Sequence, residues 1–238
     1  MRVRPCGFDL VDNCVTCAAR EDNFFCNLGP RALEAFNAIA FANIYPEGSI
    51  LYTEGQAPRG IFLICRGSAK VSISSAEGKT IITKIARAGQ VLGLSSVLSG
   101  HPYKATAETL EPSQVNFVRR EDLPSFLHDH HEACVNVVGQ LTEACEADAD
   151  HIRAIELSHS ATEKLANLII SWCPDSDDDE PGRCQMLLTH EDLSQLIGTS
   201  RETVTRLLKD FRARKLISIK GACLTILNRA ALRSLVLV

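Results

Sequence analysis

The chain has 238 residues, is 45% hydrophobic and 23% charged, and carries a formal net charge of −4. That length and composition suit two modest globular domains and exclude a low-complexity chain. The mild acidity argues against indiscriminate nucleic-acid binding, but it is an average: residues 183–238 hold 10 Lys and Arg against 4 Asp and Glu, which leaves residues 1–182 at about −10. A basic C-terminal quarter is what a DNA-reading module needs. The start, M-R-V-R-P-C-G-F-D, has no apolar signal core and no apolar run approaches membrane length, so a cytoplasmic protein is expected. Its ten cysteines are then expected as thiols, metal ligands or redox groups, not as structural disulfides.

Residues 1–30 are Cys-rich and lack periodicity, with Cys6, Cys14, Cys17 and Cys26 inside 21 residues. Cys14-x2-Cys17 has metal-ligand spacing, and four thiolates within reach satisfy either an iron–sulfur cluster or a tetrahedral zinc. Without a ligand, the same residues serve as small buried hydrophobes. A short helix follows, burying Leu33, Phe36 and Ile39. From about Ile44 short apolar segments alternate with turn signals: S-I-L-Y, G-I-F-L-I-C, A-K-V-S-I-S, T-I-I-T-K-I and S-Q-V-N-F-V, separated by Pro46-Glu47-Gly48, Glu54-Gly55, Arg66-Gly67, Glu77-Gly78 and Ala88-Gly89. That density of short strands predicts an antiparallel sandwich or jelly roll.

A long helix is predicted from His131 to Leu157, in which Cys134, Val138, Leu141, Cys145, Asp148, Ile152 and Ile155 alternate by four and three as a coiled-coil seam would. The alternative is a helix packed on its own domain. Asp148 interrupts the seam and, in a parallel dimer, sets like charges together. A helix from Ala161 to Trp172 comes next, then an acidic Pro- and Gly-containing loop over residues 174–182 that reads as a solvated linker.

The stretch from Thr189 to Leu216 reads as two helices around a tight turn. Leu193, Leu196 and Ile197 give the first helix an apolar face, Gly198 supplies a left-handed turn position, and Thr199 or Ser200 caps the second helix, with Glu202 spaced from Thr199 as in a capping box. Val204, Leu207, Leu208 and Phe211 share one stripe, and Arg201, Glu202, Thr205, Arg206 and Lys209 lie opposite. An exposed face of forked donors, an acid and a hydroxyl at a helix N-terminus suits the DNA major groove. A hairpin over Leu216–Leu227, turning at Lys220-Gly221, follows as a wing.

The motif from Gly55 to Gly67, the G-Q-V-L-G-L run from Gly89 to Leu94 and the R-E-T-V-T-R helix from Arg201 to Arg206 together resemble the Crp/Fnr family of bacterial transcription regulators. The resemblance covers roughly residues 31–230. It implies an α+β architecture: a Cys-rich segment over 1–30, a cyclic-nucleotide-binding-like β-roll over 31–128, a dimerisation helix over 129–158 and a winged helix-turn-helix over 159–238. It implies a homodimer reading double-stranded DNA at a palindrome and working with RNA polymerase, which the loop at 174–182 contacts in the Crp branch. No nucleophile–base pairing or P-loop supports an enzyme.

By that resemblance Arg201 and Arg206 donate to guanines and Glu202 accepts from a cytosine amine, which agrees with the chemistry of those base edges. The alternative roles for Glu202 are closing the capping box or pairing with Arg206. Thr199, Ser200, Thr203, Thr205, Lys209 and Lys220 are expected at phosphates. Arg201 favours a TGTGA-like half-site over TTGAT.

Three inputs compete. Cyclic-nucleotide binders of the family carry a Glu where this chain has Leu94, and an Arg where it has Lys104, so cAMP is disfavoured. The oxygen-sensing branch holds a [4Fe–4S] cluster through N-terminal cysteines plus one inside the β-roll, where this chain aligns Asn116 with Ser113 nearby. The expected ligand set is therefore Cys6, Cys14, Cys17 and Cys26, with a distant thiol such as Cys65 as the other source of a fourth ligand. Zinc, an unrelated small ligand or none remain the alternatives. Cys65, Cys173, Cys184 and Cys223 otherwise read as core.

Overall fold

A computed structural model describes residues 13–17, 24–156, 160–173, 183–185 and 187–236, and the side chains at 24, 150, 151, 153–156 and 183–185 are not among those described. The chain divides into two compact units, Met1–Glu146 and Ala147–Val238.

The first unit is a β-roll of two four-stranded antiparallel sheets. After a 3-10 turn, Phe24–Asn27, come helix α1 (Pro30–Ile39), β1 (Ala40–Tyr45), β2 (Ile50–Tyr52), β3 (Gly60–Arg66), β4 (Ser68–Ser74), β5 (Thr80–Arg87), β6 (Val91–Leu92), α2 (Leu94–Ser99), β7 (Thr106–Thr109), β8 (Ser113–Arg119) and α3 (Leu123–Asp129). One sheet has the order β1-β8-β3-β6 and the other β2-β7-β4-β5. Between them lie Tyr52, Phe62, Ile64, Ala69, Ala86, Tyr103, Ala107 and Val115.

The β1-β8-β3-β6 sheet is buried on its other face as well. Ile61, Leu63 and Val118 pack there against Phe25, Leu28, Leu33, Phe36, Leu123 and Phe126, with Phe25 and Phe36 stacked at 5.0 Å. Burial on both faces explains why G-I-F-L-I-C is a continuous apolar run with no alternation.

Helix α4 (His131–Glu156) begins in the first unit, where Ala133, Val137 and Gln140 are buried, and ends in the second. Gln140 donates to Val91 O at 2.7 Å, and Glu132 accepts from the Gly29 N–H at 3.0 Å, which ties the N-terminal segment to the start of α4. The second unit continues with α5 (Ala161–Trp172), β9 (Arg183–Gln185), α6 (His190–Ile197), α7 (Arg201–Ala213), β10 (Ile217–Lys220), β11 (Cys223–Ile226) and α8 (Arg229–Arg233), with a three-stranded sheet in the order β10-β11-β9. Arg229 clamps the end of α5 by donating to Cys173 O at 2.6 Å and Ile170 O at 3.3 Å, complementing the negative end of that helix.

Cys173 is fully buried, as read from sequence, but it is disulfide-bonded, against the expectation of thiols throughout. Compartment arguments say where disulfides persist, whereas the backbone geometry decides which sulfurs meet. Among the described residues no helix is long and apolar enough to cross a membrane.

Candidate DNA interface and cysteine site

The reader is built by consecutive caps. Thr189 opens α6: its Oγ1 accepts the Asp192 N–H at 3.1 Å, and Asp192 Oδ2 accepts the Thr189 N–H at 2.9 Å. Gly198 closes α6 at φ +66°, a conformation that favours glycine. Ser200, not Thr199, then caps α7, its Oγ accepting the Thr203 N–H at 3.2 Å. The capping box is therefore Thr189 with Asp192, and Glu202 is released from that duty. The reason is register: Thr203 lies three residues beyond Ser200 and carries no carboxylate to reach back.

Val204, Leu207, Leu208 and Phe211 are buried, as are Leu193, Leu196 and Ile197. Arg201, Glu202, Thr205, Arg206 and Lys209 are exposed on the opposite face of α7. Among the described residues, no side-chain hydrogen bond or ion pair engages Arg201, Glu202 or Arg206, and the ion pair on this helix is Asp210 with Arg214 at 3.4 Å. The three groups that would read bases are thus available. The Thr205 hydroxyl donates to Arg201 O at 2.9 Å and meets His190 Nδ1 at 2.9 Å, so it is engaged within the motif. His190, which the sequence did not single out, braces α6 against α7 there. The Ser200 and Thr203 hydroxyls lie 3.0 Å apart at the helix N-terminus, where anions are favoured. Thr199 is half-buried. Lys220 is exposed at the tip of the β10–β11 hairpin beside Gly221, which sits at φ +59°.

On α4 the predicted seam lies on the exposed side. Cys134, Val138, Cys145, Asp148 and Ile152 are exposed, Val138 by 59% and Ile152 by 62%, while Leu141 is half-buried against the domain core. The side chain of Ile155 lies outside the described residues. The helix therefore uses two faces: Ala133, Val137 and Gln140 for its own domain, and an exposed apolar stripe beside them.

The cysteine site forms on the outer face of the β1-β8-β3-β6 sheet. Cys14, Cys26 and Cys65 all pack against the core cluster on that face. Asn116, only 3% exposed, donates from Nδ2 to Cys14 Sγ at 3.5 Å, while its Oδ1 is buried without a hydrogen-bond partner. Cys6 lies outside the described residues. Ser113 is occupied elsewhere, its hydroxyl donating to Glu111 O at 2.8 Å.

Burial, then the nearby Cys26 and Cys17, push the Cys14 thiol up to about 11, with the Asn116 hydrogen bond opposing them. Burial, then Cys14 and Cys26, likewise drive the Cys65 thiol upward, with the Asn116 backbone opposing and Cys17 adding to the rise. The thiols thus sit near enough to suppress one another's ionisation, and a bound cationic centre would be needed to hold them together as thiolates. The donor set fits a thiolate-bound cluster. Among the described residues no three His, Cys, Asp or Glu side chains stand close enough to share one metal ion.

Leu94 is buried in the outer core, Lys104 is exposed, and Tyr103 turns inward. The Tyr103 hydroxyl donates to Gly60 O at 2.6 Å and its ring stacks on Tyr52 at 4.1 Å. Both rings line a cavity of about 290 Å³ together with Asn43, Gln56, Arg59 and Phe117.

A double-sheet β-roll followed by a winged helix-turn-helix with an unspent Arg–Glu–Arg face defines a DNA-binding transcription regulator with a regulatory roll. Two family models match in that order: the cyclic nucleotide-binding domain over residues 43–130 and the Crp-like helix-turn-helix domain over residues 163–235. The chain is 27% identical over 194 residues to the global nitrogen regulator of Synechococcus elongatus, covering 79% of this chain and 86% of that one. It is 25% identical over 191 residues to the fumarate and nitrate reduction regulatory protein of Vibrio cholerae, covering 79% and 76%. In fold it is similar to FixK2 from Bradyrhizobium japonicum, with a TM-score of 0.73 at 19% identity over 83% of this chain and 97% of that one. With both models matched, the chain belongs to the Crp/Fnr family of transcription regulators.

Proposed function

We propose that this regulator is an oxygen- or redox-responsive homodimer that reads a palindrome of TGTGA-like half-sites. Its input is a [4Fe–4S] cluster whose ligands include Cys14, Cys17 and Cys26. The observation that carries the reading is the gathering of cysteine thiols around the buried Asn116 amide, on the sheet face that α4 also helps to cover.

When bound, such a cluster supplies a redox-active centre whose integrity depends on its thiolates. A cyclic nucleotide is disfavoured because Leu94 offers no acceptor to a ribose hydroxyl and Lys104 lacks the guanidinium fork that would hold the cyclic phosphate.

The chain's own residues provide the coupling. The segment bearing Cys26 reaches α4 through the Gly29 N–H and the Glu132 carboxylate, so ordering that segment steadies α4. A steadied α4 presents its exposed stripe, Cys134, Val138, Cys145 and Ile152, to a second copy. The dimer then sets two α7 helices on one palindrome, Arg201 and Arg206 donating to guanine O6/N7 and Glu202 accepting from cytosine N4. Cytoplasmic placement and work with RNA polymerase belong to the same reading; the acidic loop at 174–182 lies outside the described residues. Random-site selection with the anaerobic protein tests it. A recovered palindrome with the TGTGA guanines supports the base assignment, and half-sites without a G opposite Arg201 contradict it.

A further inference from the structure

We infer that the fourth thiolate of this site is Cys65, carried on a bulge of β3 one strand away from Asn116, and that Cys6 is not a ligand. The inference rests on the cluster reading above and adds the residue that completes it.

The register of β3 against β8 pairs Leu63 with Asn116 and Ile64 with Val115, and then passes directly to Arg66 with Gln114. Cys65 is therefore the extra residue of a β-bulge, a device that re-aims a side chain and is common beside functional sites. By alternation, Cys65 shares the outer face with Ile61 and Leu63, and Asn116 shares it with Val118, while Phe62, Ile64 and Val115 line the interior of the roll. The bulge leaves Cys65 with no cross-strand partner in this register, diagonal to Asn116 on the face where Cys14 and Cys26 already pack.

Asn116 supplies the independent sign of a ligand. A primary amide in an otherwise apolar layer costs free energy unless its polar atoms are satisfied. Here one end meets only a weak sulfur acceptor and the other meets nothing, so the amide is turned toward a space whose natural contents are polar or ionic. Donors to this space come from three parts of the chain: Cys14 and Cys17 from the N-terminal segment, Cys26 from the 3-10 turn, and Cys65 from the sheet. A ligand rooted in the sheet would fix the otherwise local Cys14–Cys26 set to the core of the roll.

The test uses full-length protein purified anaerobically, with iron and acid-labile sulfide analysis, Mössbauer spectroscopy of 57Fe-loaded samples and circular dichroism melting. The wild type should hold about four irons per chain. Cys6→Ser should keep that content and its spectrum. Cys65→Ser should lose at least tenfold in iron while melting cooperatively. Asn116 Nδ2 already lies 3.5 Å from Cys14 Sγ, so a thiol placed at 116 reaches the space, and the double variant Cys65→Ser/Asn116→Cys should regain the cluster. Full iron retention by folded Cys65→Ser, or loss of iron in Cys6→Ser, overturns the assignment of Cys65 and leaves the cluster reading intact. A wild type without iron or sulfide overturns both. Should Cys65→Ser not fold, Cys6→Ser and the double variant still decide.

Discussion

The reader and the cysteine site solve opposite problems of assembly. Every base-facing group of the reader comes from one helix, α7, and its geometry is set by caps and stripes within about 30 residues of chain. The cysteine site draws on residues 14–17, 26, 65 and 116, brought together only when β3 pairs with β8. The first is local and its side chains are exposed; the second is non-local and its side chains are largely withdrawn from water. A local site can be disturbed one contact at a time. A site assembled across a sheet is expected to fail as a unit, because each thiolate is retained only while the others are.

Variants can break that contrast. Cys17→Ser should have the largest effect, removing nearly all iron and lowering operator affinity about 5- to 150-fold at every sequence alike, the range of a typical coupling free energy. Anaerobic iron analysis and fluorescence anisotropy check it. Arg206→Ala should instead cost about 1–3 kcal/mol at one base pair and relax specificity there, while iron content stays unchanged. If Cys17→Ser altered base preference, or Arg206→Ala altered iron content, the separation of input from output would be wrong.

Asp148→Ala should tighten the dimer by about 1 kcal/mol, roughly fivefold in Kd by sedimentation equilibrium, because it removes facing like charges from the seam. An unchanged equilibrium would place Asp148 outside the dimer contact. Ser200→Ala should cost about 1 kcal/mol through loss of the α7 cap, lowering the melting temperature of the second unit by a few degrees. Lys220→Ala should have the smallest effect, weakening binding uniformly and reducing the slope of log K against log salt by about 1.

The same contrast explains what was legible in the sequence. Helices α4, α5, α6 and α7 and strands β3, β4, β5 and β8 stand close to their expected places, because periodicity and turn residues are local signals. β1 was missed because no Gly or Pro separates it from α1; the chain passes from Ile39 to Ala40 without a breaker. Of the two adjacent hydroxyls offered as the α7 cap, hydrogen-bond geometry selects Ser200, and the expected Thr199–Glu202 capping box does not form. Base-reading candidates followed directly from α7. The placement of Cys65 did not: spacing singles out Cys6, Cys14, Cys17 and Cys26, whereas Cys65 reaches the same sheet face as Cys14 and Cys26 at a bulge that no periodicity reveals. Asn116 read as a missing ligand, and in the fold its amide faces Cys14.

The central claim is that the state of the cysteine site controls the reader. The most direct test is fluorescence anisotropy on one palindromic TGTGA duplex, under anaerobic conditions and at fixed salt, with a single preparation measured before and after its iron is stripped. The account predicts that stripped protein binds about 5- to 150-fold more weakly and regains its affinity on reconstitution. Equal affinity of iron-loaded and stripped protein for that duplex would contradict it.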